Sequence, residues 1–404
     1  MGLDSRRVTP ELTRVVVHLA AEIRSFERVE IVTEKVLSQK VSRSTVRRLA
    51  QQVGNELAQV YREPSQAPEK EIPKPEMGVV SCDGGRIRTR QAGGGRGVRL
   101  SGEKGWRETK NASFERMKPP EDSPFEEDPC PELPSSFRTA PQVARIVEKP
   151  APEVPSGPSE NAEHASVVVE GPVVYRGPKR MLRTAVSSMA CSDDFGPMMR
   201  QEAERRRLPE APRRAFLGDG LAWNWSIWRK HFRSFVPILD FIHAIQYVFS
   251  AAMCVSPSES RGWELYVTWI TWCWQGRVGD VLQALQTACQ TGGIPLGETL
   301  ADDHPGKAAS DAYRYLTNNR RRMHYAYYRR QGFPVTSAPM ESLIKQMNLR
   351  VKGTEMFWDD PEGAESILHL RAATLSEDNR LEDYLAQRPG WQFTRRSSEL
   401  ATAA

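Results

Sequence analysis

Three acidic residues have the types and settings that phosphoryl chemistry requires. Asp83 follows the apolar run Met77–Cys82 and precedes Gly84-Gly85, and Asp219 follows a second short apolar run and precedes Gly220. Glu341 opens a helical stretch just after Pro339, and each of the three lies more than a hundred residues from the next. Only a fold can bring them together. Carboxylates at the ends of neighbouring strands, with one more on a packing helix, can hold two Mg²⁺ ions through few protein oxygens and several waters. Two ions about 4 Å apart would activate an attacking oxygen and steady the leaving oxygen of a phosphodiester. Taken singly, each residue has an ordinary explanation. Asp83 and Asp219 precede glycines as turn residues do, and Glu341 suits the first turn of a helix. It is their order along strand, strand and helix that favours a joint role.

The residues after Glu341 extend that possibility. Glu341, Lys345, Asn348 and Lys352 fall at offsets of 0, 4, 7 and 11, one face of a helix, with Arg350 close to it. A row of Lys and Asn beyond a metal-binding Glu suits a DNA strand passing the metals. The same row also reads as a solvated face with a Glu–Lys pair one turn apart. A further polar pair, Asp240 and His243, interrupts the most hydrophobic run of the chain, Phe235–Met253. An ionised Asp at the centre of a bilayer costs several kcal/mol, and Pro237 and Gln246 interrupt the run as well, so a membrane span is not expected. The run reads as a short strand ending at Asp240 and a helix leaving it. Asp240 would cap that helix, accepting from the backbone N–H of His243.

The positioning elements follow from periodicity. A buried strand carries Asp83, and Gly84-Gly85 reads as a turn into the alternating Arg-Ile-Arg-Thr-Arg segment; "GWRETKNASFERM" is the next strand. Helix 193–207, strand 213–220, a helix over "LAWNWSIWRKHF" and strand "SFVPILD" come later. Residues 257–335 are helical and rich in Trp and Tyr, and two helices joined by Lys-Gly-Thr-Glu close the chain. Near the N-terminus, a helix over 31–38, a turn at Gln39–Val41 and a second helix opening at Ser42 or Ser44 resemble a helix-turn-helix. Arg43, Arg47 and Arg48 then stand where a DNA-reading helix carries its cations, although plain helical packing explains the pattern equally well.

Composition narrows the class. The 404 residues carry 56 Lys and Arg against 51 Asp and Glu, a net charge of +5. Arginines cluster at 205–207, 213–214, 320–322 and 329–330. Such clusters suit phosphate backbones or, more simply, solvated helix faces. The six cysteines show no metal-binding spacing, which argues against structural zinc and a disulfide framework. No signal peptide is read at the N-terminus, so a cytoplasmic, nucleoid-associated location is expected.

The segments "SCDGGRIRTR" with "GWRETK", "FLGDGLAWNWSIWRKHF", "VPILDFIHAIQYV" and "PMESLIKQMNLRVKGTEMFWDDPEGAESILHLRA" together resemble the DDE transposases of bacterial insertion sequences. The resemblance covers roughly residues 8–115 and 180–390. It implies an α/β fold: an RNase H-like mixed sheet flanked by helices, with an all-α insertion and an N-terminal helix-turn-helix-like region. It also implies Asp83, Asp219 and Glu341 as catalytic metal ligands, Asp240 and His243 as an auxiliary Asp-x-x-His element, and two Mg²⁺ ions with Mn²⁺ as a substitute. The expected partner is double-stranded DNA, at element ends and target, bound by a homo-oligomer. The corresponding division is a helical DNA-binding region at 1–62, a linker at 63–76 and the first part of the catalytic domain at 77–116. A disordered Pro/Glu/Ser-rich insertion at 117–165 and the second catalytic part at 166–256 follow. Then come the all-α insertion at 257–335, the C-terminal helices carrying Glu341 at 336–391, and a tail at 392–404.

Overall fold

A computed structural model of the chain describes residues 8–62, 72–90, 105–152, 177–296, 299–353 and 356–388. The linker at 63–71 and the tail from 389 onward lie outside them. At its centre are β1 (Met77–Arg88), β2 (Trp106–Lys118), β3 (Lys179–Ser188), β4 (Arg213–Gly218) and β5 (Val236–Leu239). They form one mixed sheet in the order β3-β2-β1-β4-β5. The first three strands run antiparallel, whereas β4 lies parallel to β1 and β5 parallel to β4. The central position of β1 explains its continuous Val-Val-Ser-Cys run, because a strand covered on both faces has no solvated side to alternate with.

Side chains alternate across the sheet, so Val79, Ser81 and Asp83 share one face and Val80 and Cys82 the other. The Val80 face is covered by α5 (Ser192–Arg205) and the aromatic end of α6 (Ala222–His231). Phe195, Met198 and Met199 are buried there, and the rings of Phe216 and Phe232 lie 5.4 Å apart. After β5 the chain enters α7 (Phe241–Cys254), α8 (Glu259–Trp274), α9 (Val278–Thr291), α10 (Lys307–Asn319) and α11 (Tyr325–Arg330). This helical unit is the aromatic segment expected from the sequence. Its packing is T-shaped where Phe241 meets Trp274 and Tyr325, at 5.0 and 4.9 Å.

The chain ends in α12 (Ala338–Val351), α13 (Pro361–Thr374) and α14 (Arg380–Gln387), and these share a second core with the N-terminal helices α1 (Pro10–Glu22), α2 (Phe26–Leu37) and α3 (Arg43–Arg62). The start signals of α1 and α2 are local: Thr9 caps α1 ahead of Pro10, and Ser25 caps α2. A left-handed Ser38 ends α2. The helix-turn-helix-like pair is therefore present, but Val46, Leu49, Ala50, Val53 and Leu57 of its second helix are buried in the shared core.

Three expectations change. Residues 119–152, read from sequence as a disordered stretch, are folded, and they include α4 (Ala140–Val147). Composition underestimated the few apolar residues available: Cys130, Leu133, Ala140 and Val143 are buried. The backbone also accepts buried donors, from Trp274 Nε1 to the Cys130 carbonyl and from Tyr266 Oη to the Phe137 carbonyl, both at 2.8 Å. Arg329, fully buried under Trp274, pairs with Asp128. The rest of that stretch, residues 153–165, lies outside the described residues. Second, Gly84-Gly85 is no turn; β1 runs through it, opposite Lys110 and Thr109. A Cβ on Gly85 would lie 2.6 Å from Thr109 Oγ1, so the glycine answers to a crowded neighbour. Third, β3 had no sequence forecast, because three basic residues within it mask the alternation. One of them, Arg183, is buried and hydrogen-bonds the Leu375 carbonyl and Gln346 Oε1.

The closest backbone approach between the N-terminal and C-terminal helices is at Gly54, where a Cβ would come 2.0 Å from the Ser366 carbonyl oxygen. Gly54→Ala is expected to destabilise the protein by about 1–3 kcal/mol, the usual cost of overpacking, despite the better helix propensity of Ala. Thermal unfolding checks this; an unchanged or raised midpoint would show that α3 is not docked on α13.

Candidate active site

Asp83 and Asp219 owe their proximity to strand register. Cys82 pairs with Gly218 across the parallel β1–β4 ladder, so Asp83 is the next residue on β1 and Asp219 the first beyond β4. Neighbouring strands are about 4.8 Å apart and the two positions share a face, which brings the side chains together. Burial is the main reason both carboxyls are pushed above their ordinary range, Asp219 to about 7. The Leu221 N–H and the His243 ring pull Asp219 down while the charge of Asp83 pushes it up. His243 and the Gly84 N–H likewise restrain the rise at Asp83.

Asp219 is held from several directions. Its Oδ1 accepts from the Leu221 N–H at 2.8 Å and from Asn224 Nδ2. Its carbonyl accepts from Tyr315 Oη at 2.6 Å. Tyr315 in turn stacks on Tyr247, with ring centroids 3.7 Å apart. The chain turns away at Gly220 with φ +97°, where a Cβ would strike the Tyr315 ring. Asp83 accepts from the Gly84 N–H at 2.6 Å and sits across the ladder from Asn111, whose Oδ1 accepts from Ser187 Oγ at 2.7 Å. None of Asn111, Asn224 or Tyr315 was singled out from sequence. Only register and tertiary packing select them among the chain's many Asn and Tyr residues.

Glu341 lies in the first turn of α12, near enough to feel the charges of Asp240 and Asp83. Its carboxyl, half-buried, is raised mainly by burial and then by the charge of Asp240, with a smaller push from Asp83; Lys345 and His243 oppose the shift. The structure therefore collects Asp83, Asp219, Glu341, Asp240 and His243 into one electrostatic neighbourhood. Asp240 plays a different part from the others. It is buried, and its Oδ1 accepts from the N–H groups of Ile242 at 3.2 Å and Ser337 at 3.0 Å. Its Oδ2 accepts from Ser337 Oγ at 2.5 Å and faces His243 Nε2 at 3.8 Å. The cap accepts from Ile242, one residue before the expected His243. Asp240 thus ties the start of α7 to the segment leading into α12, where Glu341 sits.

The residues expected to touch DNA divide into two groups. Lys345 and Lys352 are exposed, and Lys352 lies 5.6 Å over the Trp106 ring. Asn348 is half-buried on the same helix. Arg350 corrects the sequence reading. It is fully buried, donates from Nε to the Ala20 carbonyl at 2.6 Å, and lies over Phe26 and Trp358. It fastens α12 to α1 and is out of reach of DNA. Arg47 is similarly committed, to Asp360 Oδ2 at 2.6 Å beside the N-terminus of α13. Arg43 is exposed and Arg48 half-buried, both on the first turns of α3.

The donor set suits a hard divalent cation, being almost entirely carboxylate oxygen. Among the described residues no three His, Cys, Asp or Glu groups converge on a single ion position. That is compatible with ions held by two carboxylates each and completed by water. The raised carboxyls are the observation that fits, since a cation would offset the repulsion between them. No family model matches the chain, and no curated protein does either. No helix among the described residues is long and apolar enough to cross a membrane.

The raised carboxyl of Asp219 makes a signed prediction. Its folded pKa of about 7 lies above its ordinary 3.8. The folded state therefore binds this proton more tightly, and that stability is complete below pH ~4 and lost as pH rises through ~7. In EDTA, the wild-type thermal midpoint should fall between pH 5 and pH 8 more steeply than that of Asp219→Asn, which has no carboxyl to titrate at that position. Added Mg²⁺ should restore the wild type at pH 8 and leave the variant largely unmoved. Identical pH profiles, or equal response to Mg²⁺, would disprove this electrostatic account.

Proposed function

We propose that this protein is a metal-dependent DNA strand-cleaving and strand-joining enzyme, a DDE-type transposase with an RNase H-like catalytic domain. The observation that carries the reading is that Asp83 on β1 and Asp219 just past β4 stand side by side, in one electrostatic neighbourhood with Glu341 on α12 after an all-helical segment. The sequence resemblance calls for that order: first aspartate on the first strand, second after the fourth, glutamate on a late helix. Mg²⁺ bound there supplies Lewis acidity and neutralises charge on the phosphodiester.

The side chains divide the remaining work. Asp83 and Asp219 present a bed of oxygens, with Glu341 completing it from α12. His243 adds positive field to all three carboxyls, and Asp240 fixes the corner from which α12 departs. Lys345, one turn beyond Glu341, and Lys352 beyond it offer cations to the DNA phosphates. In the first step a water oxygen bonds to phosphorus, and the bond from phosphorus to the 3′-oxygen breaks. The freed 3′-hydroxyl then attacks a phosphorus of target DNA, displacing a second 3′-oxygen and joining the strands. The first step leaves a 5′-phosphate beside the 3′-hydroxyl, the second exchanges one phosphodiester oxygen for another, and neither passes through a covalent protein intermediate. The DNA-bound form is a homo-oligomer on this reading, since two element ends must be brought to one target.

The test uses the full chain, Mg²⁺ and DNA bearing the sequences that flank its gene. Asp83→Asn, Asp219→Asn and Glu341→Gln should each lower cleavage and joining by roughly 10³-fold or more while leaving a folded protein. Undiminished cleavage by the Asp219→Asn protein would refute the assignment, and cleavage without joining by the wild type would reduce the activity to that of a nuclease. The two kinds of basic residue on α12 should also separate. Lys345→Ala should weaken DNA binding and flatten its salt dependence at unchanged stability. Arg350→Ala should lower the unfolding midpoint through loss of a buried tether. A reversed pattern would return Arg350 to the DNA surface.

A further inference from the structure

The sheet face that carries the two aspartates continues away from them into a cavity of about 730 Å³. Its floor is Val79 and Ser81 of β1, Glu115 of β2 and Leu217 of β4. Trp274 forms one wall, and the folded Pro-rich segment around Leu133–Phe137 covers it. Cavities of roughly 300–1,000 Å³ with mainly apolar walls and a few placed polar groups are what small-molecule sites look like.

The second observation is the polar group inside it. Glu115 is 1% exposed and pairs across the ladder with Val79. Its one hydrogen bond among the described residues comes from Ser113 Oγ, at a long 3.4 Å. Arg183, its neighbour on β3, is turned instead toward Glu377, Gln346 and the Leu375 carbonyl. A buried carboxyl with so little satisfaction is costly, and burial pushes Glu115 up to about 7 even against the opposing charges of Arg180 and Arg183. Glu377 adds to the push. What this carboxyl lacks is a good donor.

We propose that the cavity binds a small, largely apolar molecule carrying one amino group, with the amine hydrogen-bonded to Glu115 and the apolar body against Val79, Leu217 and Trp274. The site is separate from the acidic cluster: Glu115 and Asp83 stand four positions apart along the paired strands. It adjoins the cluster mechanically, because Val335, Thr336 and Pro339 line the cavity and belong to the segment that carries Ser337 and enters α12. The binding does not depend on the proposed DNA chemistry.

The probes are tryptamine and tryptophol, which share an indole and differ in amine against hydroxyl, titrated calorimetrically into the full chain in EDTA. Tryptamine should bind saturably at one site per chain, about tenfold more tightly than tryptophol, as expected for one added charge-assisted hydrogen bond. Glu115→Gln should reduce tryptamine to the affinity of tryptophol. Ser136→Trp, at the exposed rim of the cavity and away from the core, should weaken both probes, so the test survives if the Glu115 variant fails to fold. Absence of saturable binding, equal affinity for the two probes, or binding unaffected by Ser136→Trp would each overturn the proposal.

Discussion

Two half-buried carboxyls, one on β1 and one just past the end of β4, repel one another as soon as both are charged. Strand register alone puts them together, and it does so at a cost in desolvation and repulsion that hydrogen bonds cannot cancel. Much of the surrounding structure serves to hold this pair in place. Asn224 and the Leu221 N–H grip the Asp219 carboxylate from α6 and its leading turn, and Tyr315 reaches from α10 to grip its backbone. The helical unit between β5 and α12 thus buttresses the loop after β4 through the Tyr247–Tyr315 stack. Strain of this kind is tolerated where it prepares a site for a counter-charge, and a divalent cation is the counter-charge that the oxygen donors suit.

The third carboxylate depends on a different joint. Glu341 lies four residues beyond Ser337, and Ser337 is bound by both oxygens of Asp240. The Phe241 N–H also donates to the Val335 carbonyl at 3.0 Å, so the start of α7 and the entry to α12 are laced together. Asp240 therefore positions Glu341 without needing to touch a metal, although its charge is the larger repulsion that Glu341 feels. The same entry segment forms part of the wall of the apolar cavity, which makes the Pro334–Pro339 stretch the mechanical link between two otherwise separate sites.

Much of this was legible in the sequence, and the parts that were not share a cause. The strands carrying Asp83 and Asp219, the break at Asp240 and the helices on either side of Lys352 all rest on local periodicity and turn chemistry, which a sequence displays directly. Gly84-Gly85 misled because glycine permits a turn but is equally required where another side chain approaches closely, and only the partner strand reveals which applies. The Pro-rich segment misled for the converse reason. Its composition matches disorder, yet a few buried residues, two carbonyl acceptors and one ion pair to Arg329 suffice when a concave aromatic surface awaits them. Asp83, Asp219 and Glu341 could be nominated one by one, but the electrostatic neighbourhood they occupy, and the support from Asn224 and Tyr315, are tertiary facts.

Charge was the least transparent signal. The arginine clusters invite a DNA-binding interpretation, but most of them act inside the protein. Arg206 pairs with Glu202 and Asp378, Arg213 binds Ser123, Arg214 binds the Pro209 carbonyl, and Arg322 lies 4.2 Å over Trp225. Arg329 and Arg350 are wholly buried. Arginine suits such positions because its planar head spreads its charge, stacks on aromatic rings and donates several hydrogen bonds at once. Lysine, a compact and strongly hydrated charge, tends to stay in water, and the exposed cations that follow Glu341 are Lys345 and Lys352. On α12 the difference between the two cations separates architecture from function. The buried Arg350 holds the helix that presents Glu341, and Lys345 and Lys352 stay in water, cations of this region left free to meet an anionic partner on the proposed reading.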